Sequence, residues 1–359
     1  MMDNLRKTLG SFAMVALVFV GFIFIYNWSF LSFSTQLLLS HNQPLCQHQS
    51  NMSSIINEAY GDDIDTALAK ASKGKNKTVI IIAIVNKAYV EQDVKGDAIT
   101  MFDLFLSSFW LGEGTRSLID NLLVVAVDQT SYDRCEFLRL NCFKLETDGV
   151  DFGGEKLYMS QEFIKMMWRR TFFLLEVLKR GYNFIFTDTD IMWLRNPFER
   201  LSKDKSEDLQ ISTDIYLGDP WSEKHLINTG FFFVRSNKKT ISLFETWYGK
   251  KDNSTGKKEQ DVLIDLIGGG IFGHLGLKVR FLDTLYFSGF CQDSKDFKLV
   301  TIIHANCCRS ITAKVADLKA TLHDWKKFRK LEGNSTLNVN WSSHEWCWMS
   351  WGRPNRTRG

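Results

Sequence analysis

The 359-residue sequence predicts an α/β domain built on a mostly parallel sheet flanked by helices. Three observations lead there. The runs 78–85 (TVIIIAIV), 122–127 (LLVVAV) and 184–187 (FIFT) are continuously apolar and mostly β-branched or aromatic, the pattern of strands buried on both faces. Helical periodicities at 98–110 and 160–180 lie between them. Asp128 and Asp188 directly follow two of those runs, and in such sheets ligands collect beyond the carboxyl ends of the strands.

Composition narrows the class. Hydrophobic residues at 45% and charged residues at 24% exclude a disordered chain, and a net charge of +3 gives no footprint for a nucleic-acid partner. Seven cysteines without a C-x-x-C pair exclude a zinc ribbon or a thioredoxin-like site. They leave room for one or two disulfides in an oxidising compartment.

The elements follow in order. Arg6 and Lys7 precede an uncharged apolar stretch long enough to span a bilayer, and no Lys or Arg follows until Lys70. This predicts a cytosolic tail at 1–8, an uncleaved transmembrane signal anchor at 9–33 and a body across the membrane. Asn-x-Ser/Thr sequons agree with that side: Asn27 sits too close to the membrane for use, leaving Asn51, Asn76, Asn253, Asn334, Asn340 and Asn355 as N-glycan candidates. Residues 34–76 read as a polar stem, apolar only around 64–71. The first buried strand then opens the main domain at 77–332. Ser160 caps the long helix that Gly181 stops. Two apolar runs fill 211–235, a charged loop covers 250–258, and helices are expected at 260–267 and 317–331. TIIH at 301–304 is a last strand. The Gly-rich segment 268–276 lacks the Lys-Ser/Thr of a P-loop. A Trp-rich tail occupies 333–359.

The chemistry-bearing motif is Asp188-Thr189-Asp190 after FIFT. Residues two apart on an extended segment point the same way, so both carboxylates can converge on one hard cation, Mn²⁺ or Mg²⁺. The same spacing occurs at Asp63-Ile64-Asp65, where it precedes a short helix and reads as a cap. His304, at the end of TIIH, can reach the same crevice as a third ligand. Asp214, Asn228 before Gly230, and Asp261 in Glu259-Gln260-Asp261 could line it. A phosphatase of the D-x-D-x-T/V type is excluded, since Met192 stands where Thr or Val is needed. A membrane-anchored lectin or scaffold without turnover remains an alternative.

Longer strings carry a resemblance: GGEKLYMSQEFIKMMWRR (153–170), FTDTDIMWLRNPF (186–198), LINTGFFFVRSN (226–237), EQDVL (259–263), LGLKVRFLDTLYFSGFC (275–291) and HANCC (304–308). Over about 78–330 the chain resembles plant nucleotide-diphospho-sugar transferases of glycosyltransferase family 77. The resemblance implies a GT-A-type, Rossmann-like fold. It implies a nucleotide-sugar donor (a UDP-sugar) with Mn²⁺ or Mg²⁺, a cell-wall polysaccharide or glycoprotein acceptor, retention of configuration, and a type II Golgi membrane protein. It makes Asp188 and Asp190 the acidic pair, Asp190 binding the metal directly and Asp188 contacting metal or ribose, and His304 the late metal ligand. Asn86 would hold the base, Asp128 would lie near the nucleotide, Lys165 or Arg169 would meet the diphosphate, and Asp214, Asn228 and Asp261 would serve the donor sugar.

Overall fold

The computed structural model describes residues 63–73, 79–91, 99–147, 149–156, 158–331 and 340–352. The expected tail and anchor (1–33) lie outside them, as do Cys46 and the sequons at Asn51, Asn76, Asn334 and Asn355. Among the described residues no helix is long and apolar enough to cross a membrane.

The described residues begin with a helix at 63–71 (α1), then β1 (Val79–Val85), α2 (Lys87–Val90), α3 (Met101–Leu111), β2 (Leu122–Ala126), α4 (Gln129–Phe137) and β3 (Asn141–Lys144). α5 (Gln161–Lys179), β4 (Asn183–Thr187), β5 (Ile191–Trp193), β6 (Leu209–Ile215) and β7 (Leu226–Val234) follow. After α6 (Lys238–Gly249), α7 (Glu259–Gly268) and α8 (Ile271–Leu275) come β8 (Val279–Phe281), β9 (Phe287–Gly289), β10 (Ile302–His304), α9 (Ile311–Leu331) and α10 (Glu345–Met349).

Seven strands form one mixed sheet in the order β3-β2-β1-β4-β7-β6-β8. Only β7 runs against its neighbours; β1 pairs in parallel with both β2 and β4. The chain moves from β1 outward to β2 and β3, then returns to add β4 on the other side of β1. The carboxyl ends of β1 and β4 therefore flank the point where strand order reverses, the crevice of an open α/β sheet.

The buried strands work as their composition requires. In β1, Ile81, Ala83 and Val85 face one core with Phe102, Phe105 and Trp193, while Ile80 and Ile82 face the other with Phe173, Leu174 and Phe244. Thr100 caps the start of α3 with a reciprocal capping box to Asp103, so the helix starts later than the periodicity from 98 suggests. α9 starts at Ile311, not 317, and Asp317 is buried, accepting the Cys347 amide.

Three differences from the sequence reading have physical reasons. The end of the expected stem folds onto the body: α1 buries Ile64, Ala67, Leu68 and Ala71 in the core. TIIH does not join the main sheet; β10 sits between β5 and β9 in a second, three-stranded sheet. Three disulfides form, Cys135–Cys142, Cys291–Cys307 and Cys308–Cys347, where one or two were expected.

Candidate active site

Asp188 follows the last residue of β4 and donates its amide to the Gly230 carbonyl on β7 at 2.7 Å. Asp190 precedes β5, and its carbonyl accepts the Ala305 amide at 3.0 Å. β5 thereby runs antiparallel to β10 and sets His304 opposite Ile191. The rest of the long motif secures this turn. Trp193 donates its indole N–H to Thr187 at 3.2 Å, and the Arg195 guanidinium bonds the Phe297 and Val300 carbonyls.

One potential ligand atom from each of Asp188, Asp190 and His304 lies within 4.8 Å of the others. His304 Nε2 is 3.2 Å from Asp190 Oδ1 and 4.0 Å from Asp188 Oδ2. Gly230 lies against both. A Cβ there would sit 2.5 Å from His304 Cε1 and 2.7 Å from Asp188 Oδ2, so only glycine lets β7 approach so closely.

Two cations complete the cluster. Arg170 donates to Asp188 Oδ1 at 2.9 Å and, in a shorter bond, to the buried Glu259. Lys314, on α9, pairs with Asp190 Oδ2 at 2.6 Å. Burial pushes the Asp188 carboxyl up against the pull of Arg170. Burial also opposes the charge on Asp190, yet Lys314 and His304 outweigh it and hold that carboxyl well below the usual range. For Lys314 the balance is mirrored: burial disfavours its charge, and Asp190 more than restores it. Burial pushes the neighbouring Tyr89 hydroxyl up to about 12. Counting the contacting ions, three carboxylates (Asp188, Asp190, Glu259) face two fixed cations (Arg170, Lys314), a net charge of 2 − 3 = −1 before the imidazole is counted. Two carboxylate donors, one imidazole and that residual negative charge suit a divalent cation.

These groups floor a cavity of about 380 Å³. Seven sequence-predicted residues line it: Asn86, Asp188, Asp190, Asp214, Asn228, Asp261 and His304. Asn86, beyond β1, donates to the Phe152 carbonyl at 2.7 Å, while its own Oδ1 is buried without a partner. Asp214, near the end of β6, accepts from Asn228 at 2.8 Å and from Asn306 at 2.7 Å, both at Oδ1. Asp261 also accepts the Lys258 amide and so starts α7.

Three expected residues are not brought there. Asp128 caps α4 through the Ser131 amide and ties down the Lys87 amide, joining the segments that follow β1 and β2. Lys165 is exposed, and Arg169 bonds the Glu146 carbonyl. Helical phase explains both: Phe163, Met166, Met167 and Arg170 face the cavity at i, i+3, i+4 and i+7, and 165 and 169 lie off that stripe. The sequence reading thus missed Arg170, which shares the phase of the apolar stripe, and Lys314, which no local pattern marks.

Residues 117–318 match the nucleotide-diphospho-sugar transferase family. The chain belongs to that family. It is a glycosyltransferase. An uncharacterised Arabidopsis thaliana protein is 52% identical over 340 residues, covering 94% of this chain and 93% of its own. The A. thaliana β-arabinofuranosyltransferase RAY1 is 30% identical over 203 residues (52% of this chain, 36% of its own). A UDP-D-xylose:L-fucose α-1,3-D-xylosyltransferase from the same plant is 26% identical over 196 residues (51% and 47%). Within this glycosyltransferase, the matched segment carries β2 through the start of α9, and so the acidic pair, His304 and Lys314.

Proposed function

We propose that this glycosyltransferase takes a sugar from a UDP-sugar, with Mn²⁺ or Mg²⁺ held by Asp188, Asp190 and His304, and passes it to a hydroxyl of a cell-wall polysaccharide or glycoprotein glycan. The observation that carries this reading is the convergence of those three ligand atoms at the floor of the cavity. Bound there, the divalent ion supplies a Lewis acid for the charge that builds on the departing diphosphate.

The chain's own groups do the rest. Arg170 fixes the Asp188 carboxylate, and Glu259 fixes Arg170 in turn. Lys314 brings positive charge to the cavity beside Asp190 and offsets the diphosphate. The orphan Oδ1 of Asn86 is an acceptor for an N–H of the nucleobase. Asn228 and Asn306 both donate to Oδ1 of Asp214, so Oδ2 remains to accept from a hydroxyl of the donor sugar. Retention, the Golgi membrane, the type II anchor at 9–33 and the lumenal body belong to the same reading. The three disulfides support an oxidising compartment, and the exposed Asn253 and Asn340 are accessible as glycan acceptors.

The test is a screen of UDP-sugars with the full chain, following UDP release with Mn²⁺, with Mg²⁺ and after chelation. UDP release from at least one donor that chelation abolishes is expected. Release that survives chelation overturns the metal assignment, and no release from any UDP-sugar overturns the donor class.

A further inference from the structure

Beyond the three-stranded sheet, the chain returns to the cavity from its C-terminal side. The Cys308–Cys347 disulfide ties α10 to the segment that follows His304. Trp351, four residues past that cysteine, donates its indole N–H to the Cys307 carbonyl at 2.6 Å and lines the cavity. The Arg309 guanidinium lies 3.8 Å from the centre of its ring, and Ser350 accepts the Arg309 amide. Trp351 is nonetheless 50% exposed. An indole held by a hydrogen bond at its edge and a cation at one face, with half its surface open, is a preorganised platform for stacking.

Its position along the sheet indicates what would stack. Strand order sets Asn86 at the β1 end of the cavity, Asp188 at β4, and Asn228 and Asp214 at β7 and β6. Trp351 hangs on Cys307, the residue after Asn306, which bonds Asp214 at the β6 end. It is therefore tied to the segment that carries the partner of Asp214, the group assigned to the donor sugar. We infer that Trp351 is an acceptor subsite, on which the ring of an acceptor sugar stacks while its hydroxyl reaches the donor. This rests on the proposed donor and metal reading. Arg309, beside the ring, is placed to bond a hydroxyl of the same sugar.

The test uses the full-length protein, its Trp351→Ala and Trp351→Phe variants, and Trp348→Ala as a control, since Trp348 is 77% exposed and does not line the cavity. Binding to an array of plant cell-wall oligosaccharides is read with UDP and Mn²⁺ present, and UDP–Mn²⁺ affinity is measured separately by calorimetry. Trp351→Ala is expected to lose glycan binding by about tenfold, the size of one good aromatic stacking contact, with UDP affinity unchanged. Trp351→Phe should keep most of it and Trp348→Ala all of it. Glycan binding equal to wild type in Trp351→Ala overturns the inference, as does wild-type protein that retains no glycan. An equal loss of UDP affinity also overturns it, since the ring would then serve the nucleobase. Absence of UDP–Mn²⁺ binding in the wild type would instead tell against the donor and metal reading.

Discussion

The molecule contains the same short motif twice, and the two copies have different fates. Asp63-Ile64-Asp65 opens α1: Ile64 turns into the core, both carboxylates are exposed, and Asp65 pairs with Arg180 at 2.9 Å. Asp188-Thr189-Asp190 leaves the end of a central strand. There a closely packed glycine, a histidine from another sheet, the buried Arg170 and the half-buried Lys314 surround the pair. The lesson is that carboxylate spacing supplies only the opportunity for a cation site. Backbone geometry decides whether two carboxylates converge, and burial decides whether an ion there is worth more than water.

Four substitutions break or sharpen this contrast. The largest effect is expected for Asp190→Asn, which keeps the shape of the side chain but removes a charged ligand. UDP-sugar turnover with Mn²⁺ should fall by about a thousandfold or more, since Lewis-acid stabilisation is worth several kcal/mol. Turnover within a few fold of wild type would place the metal elsewhere. Next comes Arg170→Ala, which leaves the buried Glu259 and the half-buried Asp188 without their shared cation. Removing one partner from such a group costs about 3–5 kcal/mol, which denaturant titration at neutral pH would detect. A stable variant with full metal affinity would mean that Arg170 holds nothing in place.

Gly230→Ala should be smaller in stability yet visible at the site. Its Cβ drives into His304 and Asp188, an overpacking cost of about 1–3 kcal/mol. Mn²⁺ affinity, read by the rise in melting temperature on adding the ion, should drop in parallel. Unchanged affinity would show that β7 can retreat without disturbing the ligands. The smallest effect belongs to the other copy. Asp65→Ala removes an exposed pair with Arg180 and should shift stability by no more than about 1 kcal/mol, with activity untouched. A large loss there would erase the distinction between the two motifs.

Part of the site was legible because it is local. Strand β4, the pair at its end and the Asn-Thr-Gly that allows β7 close all declare themselves within a few residues. The rest depends on elements far apart in sequence. Arg170 was missed in favour of Arg169, although the phase of Phe163, Met166 and Met167 contained the signal. Lys314 and Trp351 carried no signal, because α9 and the tail reach the cavity only through the second sheet and the Cys308–Cys347 bridge. Asp128 was expected near the nucleotide because it follows a strand; an aspartate there can as readily cap the next helix, and here it does.

From sequence alone one could determine the alternation of buried strands and helices and the place of the Asp188-Thr189-Asp190 motif at the carboxyl end of β4. Each follows from periodicity and burial, which act over short stretches of chain. Only the tertiary structure decided that β10 lies in a separate sheet, that the stem's end packs into the core, and that Arg170, Glu259 and Lys314 balance the charge around Asp188 and Asp190. Electrostatic balance and side-chain convergence are properties of distances through space, and local patterns along the chain do not encode them.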